Sequence, residues 1–216
     1  MAPTCDAFFG KVFAHLAGAM AVSAASAEYI DMGDFLKTGK VWIDFFINLA
    51  ILIGLLFAVQ MTPTGSALKY IAFAAFAVYF GQVFKPLVEK LKDRQLLTRV
   101  LTMTTGVFVA MMALGFYDKQ SLLGFGPYLL AGLVGLIIGQ LVVMFFVDEK
   151  KGAFRVLDSV AVLLFAVLTA FDIQVLKQVK GVCKSIRGGP DYPAASVGLY
   201  LDFLNLFSNI SDLSSE

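Results

Sequence analysis

The sequence predicts an all-α membrane protein, a single domain over residues 1–216 built from seven transmembrane helices. Three observations predict it. Apolar residues make up 59% of the chain and charged ones only 15%, against roughly 25% charged in a typical soluble domain. The apolar residues gather into long runs with short polar connectors, and the runs approach the ~20 residues that a hydrocarbon core about 30 Å thick requires. All six prolines (3, 63, 86, 127, 190 and 193) lie at or outside run ends. Helices in lipid require this, because an interior proline removes a backbone donor that no solvent replaces. A soluble bundle of seven buried helices would need polar outer faces, which these runs lack.

The first run, 8–27, begins after almost no basic leader and is long enough to span, so it reads as a helix and not a cleaved signal. Lys37-Thr38-Gly39-Lys40 opens the second run, 41–60, and Thr62-Pro63-Thr64-Gly65 closes it. The third, 67–84, ends at the most charged connector, Lys85 to Gln95, and the fourth covers 96–116. The fifth, 125–147, is closed by Asp148-Glu149-Lys150-Lys151, and the sixth covers 153–176. Arg187-Gly188-Gly189-Pro190 then leads to the seventh and shortest, 194–210. Ala14 with Gly18 in the first run, and Gly132, Gly135 and Gly139 in the fifth, have the spacing of close helix contacts.

Seven spans put the termini on opposite sides of the bilayer. The N-terminal side carries seven basic residues and the other side ten, too even a split for the positive-inside rule to assign compartments. Cys5 and Cys183 fall on the same side, so a disulfide is topologically open to them. Two scattered cysteines are more often unpaired thiols, and that is the expectation. The net charge of +1 gives no electrostatic support to a polyanionic partner, so no nucleic-acid binding is expected.

In lipid the informative residues are the charged and polar ones inside the runs. Lys11, Lys69 and Arg99 lie near run ends and can snorkel to the interface. Asp158 follows Arg155 at the i,i+3 spacing of an ion pair. His15, the only histidine, reads as a helix-interface residue, and Asp44 with Asn48 could line a polar path near the start of the second run. Asp172 and Asp202 stand out. The first is about five residues from the end of the sixth run, the second about eight into the seventh; at 1.5 Å per residue these are depths of ~8 Å and ~12 Å from one membrane side. Gly198, Asp202, Asn205 and Asn209 form one polar stripe, and Thr169 is a turn before Asp172. Either the two carboxylates meet and act together, or each is neutral or satisfied by a nearby lysine such as Lys177 or Lys180.

The same residues carry a resemblance. Ala170-Phe171-Asp172-Ile173-Gln174 and Leu199-Tyr200-Leu201-Asp202-Phe203-Leu204-Asn205-Leu206-Phe207 resemble the sixth- and seventh-helix signatures of the Bax inhibitor-1 (transmembrane Bax inhibitor motif) family. Lys11-Val12-Phe13-Ala14-His15-Leu16 is similar to the start of its first helix, and the stretch from Gly124 through Gly139 to Phe165 is similar to bacterial members. The resemblance implies a central seventh helix wrapped by two three-helix layers, in an endomembrane or a bacterial inner membrane. It implies a pH-sensitive calcium-leak channel linked to calcium homeostasis and suppression of apoptosis, with the lipid bilayer, calcium ions and cell-death proteins as partners. Asp172 and Asp202 match the paired aspartates that sense pH by sharing a proton. Asn205, Thr169 and Asp44 are the candidate lining of the ion path. The sequence departs from the family at the basic latch that some members carry on the second helix: 41–60 contains no Lys or Arg, which leaves a neutral substitute such as Gln60.

Physical chemistry supports the carry-over. Two close carboxylates in low dielectric cannot both ionise cheaply, so one proton is shared between them. Calcium takes roughly six to eight oxygens, and two carboxylates with Asn205, Thr169 and water make a sparse set, suited to passage and not to a tightly bound metal. No catalytic residue and no organic cofactor is expected. Intramembrane aspartyl proteases also use paired aspartates, but Gly198-Leu199-Tyr200-Leu201 before Asp202 is not their Gly-x-Gly-Asp motif. The seventh run has no lysine for a retinal Schiff base, and Gly33 with Gly39-Lys40-Val41 misses both the spacing and the hydroxyl of a P-loop. A non-conducting scaffold that modulates cell-death proteins is the main alternative, and an intramembrane aspartyl protease a less favoured one.

Overall fold

The computed structural model describes residues 5–31, 39–118, 120–147, 150–186 and 189–215, apart from the side chains of 41 and 42. Pro3, Gly33, Lys37, Thr38, Asp148, Glu149, Arg187 and Gly188 lie outside the described residues. Among the described residues seven long helices follow one another: α1 (Phe8–Tyr29), α2 (Val41–Met61), α3 (Ala67–Asp93), α4 (Leu97–Tyr117), α5 (Gly126–Phe146), α6 (Lys150–Val182) and α7 (Tyr192–Ser214). A single 3-10 turn, Cys5–Ala7, leads into α1. Every regular element among the described residues is helical.

Each helix overlaps its predicted run, but α3 and α6 outgrow theirs, α3 reaching Asp93 and α6 covering Lys150–Val182. An apolar run measures what lipid requires, whereas backbone hydrogen bonding continues through the polar interface. Pro86 therefore lies inside α3, which corrects the expectation that all prolines sit at or beyond helix ends. Beyond Phe84 the helix enters its charged stretch, where solvent can satisfy the carbonyl that proline leaves without a donor.

Among the described residues six helices, α1 to α6, are long and apolar enough to cross a membrane. Helix α7 does not meet that hydropathy, although its 23 residues would extend ~34 Å. Its side chains explain this. Leu199, Tyr200 and Leu206 are fully buried, and Asp202 and Asn209 are buried with them, while Asn205 is half-buried, so most of the polar stripe of α7 is covered by protein. By contrast α2 and α5 leave Phe46, Phe57, Leu130 and Ile138 exposed, as lipid-facing helices do.

The chain groups into two compact units. The first comprises Met1–Lys90 and Lys180–Val197. Here α1 and α3 are laced together: Ser23 Oγ donates to Ala77 O and Ser26 Oγ to Val78 O, both at 2.8 Å, while Gln82 Nε2 donates to Ser26 O at 2.7 Å. Gly81 permits this approach, because a Cβ there would overlap the Ser23 carbonyl oxygen. Tyr79 donates to Asn48 Oδ1 at 2.7 Å and ties α2 to the same helix. Ala14 and Gly18, expected at a tight helix contact, instead line an open groove, and a Cβ on Gly18 would meet nothing within 4 Å.

Two further expectations are corrected in this unit. Lys69 does not snorkel; it is 1% exposed and forms an ion pair with Asp191. Asp191 also accepts the Ala194 N–H at 3.1 Å, capping α7 with a carboxylate where the helix dipole favours one. Cys5 and Cys183 are not free thiols but a disulfide, with Cα atoms 6.1 Å apart. The extra length of α6 is the physical reason, since it carries Cys183 to the level of the turn preceding α1.

The second unit comprises Leu91–Val179 and Gly198–Glu216. Glycines set its spacing: a Cβ at Gly115 would lie 2.5 Å from Ala170 O, and Cβ atoms at Gly132 and Gly139 would lie 3.3 and 3.2 Å from Leu164 and Leu157. Helices α4, α5 and α6 thus approach closely, as two of the three glycines singled out in α5 imply. Phe108 meets Phe203 edge to face at 5.4 Å and joins α4 to α7.

Candidate functional site

The site lies wholly in the second unit, on facing stretches of α6 and α7. On α6 the residues Ala161, Phe165 and Thr169 are buried at helical spacing, and Asp172 continues that face, half-buried. On α7 the facing residues are Gly198 and, one turn on, Asp202. Asp172 rests directly on Gly198, where any Cβ would overlap its Oδ2 atom. The glycine is what lets a carboxylate press against the backbone of the neighbouring helix. From there Asp172 interacts electrostatically with Asp202. Structure thus brings together the two residues the sequence singled out.

Asp202 is 5% exposed, and its Oδ2 atom has no hydrogen-bond partner among the described residues. Burying such an oxygen is costly unless something transient satisfies it: a proton, a water molecule or a cation. Thr169 lies beside it. Its hydroxyl donates to Phe165 O at 2.8 Å, and with the proton placed there the oxygen can only accept from Asp202, which requires a protonated carboxyl. Turned the other way, the same hydroxyl donates to a carboxylate. Thr169 can therefore serve either protonation state of the pair.

The stripe beyond Asp202 is also ordered. Asn205 Nδ2 donates to Leu201 O at 2.8 Å and Asn209 Nδ2 to Asn205 O at 2.6 Å. Each amide nitrogen is thus held within its own helix, and the amide oxygen is the atom each side chain can offer to a cation. Asp44 is not brought to this site. It belongs to the first unit, where Asn48 Nδ2 donates to its backbone oxygen at 2.7 Å. Gln60 is exposed on α2.

Lys177 and Lys180, weighed as neutralising partners, are engaged elsewhere. Lys177 Nζ donates to Gly115 O at 3.3 Å and Phe116 O at 3.0 Å, capping the carbonyl end of α4. Lys180 lies over the Phe9 ring at 5.4 Å. Sequence reasoning missed the role of Gln174. Its Oε1 accepts the Leu122 N–H at 2.6 Å and its Nε2 donates to Gln120 O at 2.9 Å, pinning the α4–α5 connection to α6 two residues from Asp172. The signal was present: an amide inside an apolar helix needs partners for both of its ends.

Among the described residues, six lipid-compatible helices and a seventh that is largely buried define an integral, multi-pass membrane protein. The family described as "Inhibitor of apoptosis-promoting Bax1" matches residues 5–213, and the chain belongs to that family. It is 27% identical to an uncharacterized protein of Borreliella burgdorferi over 210 residues, covering 93% of this chain and 88% of that one. A Deinococcus radiodurans protein, also uncharacterized, is 27% identical over 206 residues, with 93% and 86% covered. The inner membrane protein YbhL of Escherichia coli is 33% identical over 108 residues, 48% of this chain and 45% of YbhL.

Proposed function

We propose that the chain is a pH-sensitive calcium-leak channel in which Asp172 and Asp202 share a proton and gate the path. The observation that carries the reading is the contact of Asp172 with the α7 backbone at Gly198, one turn from a buried Asp202 oxygen without a partner among the described residues. With one proton shared, a hydrogen bond joins α6 to α7. Once it is lost, two like charges in low dielectric repel, and the helices part or a cation enters. Calcium is then the transported ion, met by the carboxylates and the amide oxygens of Asn205 and Asn209. The protein is a single seven-helix domain with α7 as its central element between two layers of three, which agrees with the burial of α7 and the exposure of α2 and α5. No catalytic residue, tightly bound metal or organic cofactor takes part.

Calcium flux into proteoliposomes from about pH 5 to pH 8 tests this, for the wild type, Asp172→Asn and Asp202→Asn. Flux that rises with pH in the wild type and loses its pH dependence in both variants is the expected result. A wild type that carries no calcium leaves the alternative, a non-conducting scaffold acting on cell-death proteins. Cleavage of a transmembrane peptide, lost in either variant, would establish a protease instead.

A further inference from the structure

The first unit holds a feature that ion conduction does not use. Between α1 and α3 lies an open groove of about 270 Å³, lined by Ala14, His15, Gly18 and Val22 on one side and Phe73 and Ala77 on the other. It is a wedge. At its closed end Ser23 and Ser26 are hydrogen-bonded to Ala77 and Val78, and Gly81 abuts the Ser23 backbone. At its other end, near the start of both helices, His15 stacks at 6.2 Å on Tyr192 and lies 6.0 Å from Tyr70 and 6.1 Å from Phe73. Both helices are membrane-spanning by length and composition, so the groove opens to lipid.

Among the described residues that line the groove none is an acid, a lysine or an arginine, and the nearest charge on α1 is Lys11. Lys11 lies one turn before Ala14 and His15, on the same face of α1. Its Nζ is 5.0 Å from the centroid of the Tyr192 ring, and no carboxylate among the described residues pairs with it. His15 donates from Nδ1 to Lys11 O at 2.7 Å, so Nε2 of the neutral ring is an acceptor and Lys11 is the donor at the mouth. From Lys11 to Val22 the α1 wall extends ~16 Å, more than half of one leaflet's acyl layer plus its headgroup boundary.

We propose that this groove is a specific site for an anionic phospholipid, one acyl chain lying between α1 and α3 and its phosphate held by Lys11. The apolar walls fit a chain, the wedge closes where a chain would end, and the cation stands where a headgroup would be. The proposal is independent of calcium conduction.

The test uses the purified, delipidated full chain equilibrated with mixed micelles containing equal phosphatidylglycerol and phosphatidylcholine, with bound lipid counted by native mass spectrometry. The wild type should retain phosphatidylglycerol about fivefold over phosphatidylcholine, the preference a single interfacial lysine supplies. Lys11→Gln should bind both lipids equally. Gly18→Leu should lose the retained lipid altogether while keeping its thermal transition, since a side chain there enters open space; Ala74→Leu, from the facing wall, gives a second route to the same blockade. Equal retention of the two lipids by the wild type, or full retention in both groove variants, overturns the proposal. So does a dimer mass in place of the lipid adduct, which would make a second copy the occupant.

Discussion

Asp172 and Gly198 touch with no side chain between them, and the contact puts a carboxylate of α6 against the backbone of α7 one turn from Asp202. The absence of a Cβ at position 198 therefore matters as much to the site as the two acids do.

Gly198→Ala should force α6 and α7 apart, because the new methyl occupies the position of Asp172 Oδ2. Overpacking of this kind costs about 1–3 kcal/mol. The thermal transition in detergent should fall accordingly, and calcium flux at acidic pH should rise toward the level the wild type reaches at neutral pH. A variant as stable and as well closed as the wild type would show that the contact is dispensable.

The aspartates should act as a unit. Asp202→Asn and Asp172→Asn should each flatten the pH response of the flux, and the double variant should add little, as expected when residues share one interaction. Asp202→Lys should reduce calcium flux below Asp202→Asn, since a fixed cation repels the ion from the same place. Additive effects in the double variant would separate the two residues.

Lys69 and Asp191 form a pair of which the lysine is 1% and the aspartate 26% exposed. Removing one partner of a buried pair costs roughly 3–5 kcal/mol, with the lower end expected where one member keeps some solvent. Asp191→Asn should therefore destabilise the chain, and Asp191→Asn with Lys69→Met should recover part of the loss. Equilibrium unfolding of the single and double variants measures it.

Gln174→Leu removes the partners of the Leu122 N–H and the Gln120 carbonyl at once. Gln120 is exposed and Leu122 half-buried, so water replaces part of what is lost and the cost should fall near the lower end of the roughly 1–3 kcal/mol of a buried orphan. Hydrogen exchange at Leu122 should accelerate, while the α1–α3 contacts at Ser23 and Ser26 keep their protection.

Sealed vesicles test the disulfide. Before reduction an impermeant thiol reagent should label neither Cys5 nor Cys183. After reduction with a permeant thiol and removal of the reductant, both should label from the same side. Labelling from opposite sides would mean that the spans between them are miscounted.

Much of this was legible in the sequence because lipid imposes a simple rule: each span must be long, apolar and internally hydrogen-bonded. The seven runs, the helical class and the standing of Asp172 and Asp202 as charges in unfavourable positions all follow from that rule. It says nothing about partners. Whether Cys5 meets Cys183, whether Lys69 reaches water or Asp191, and whether Gly18 packs or opens a groove depend on residues far apart in the chain, brought together only by helix packing. The shortfall in the hydropathy of α7 has the same origin, since composition records what a helix is made of, whereas the packing of its neighbours decides whether its polar stripe meets lipid or the carboxylate of another helix.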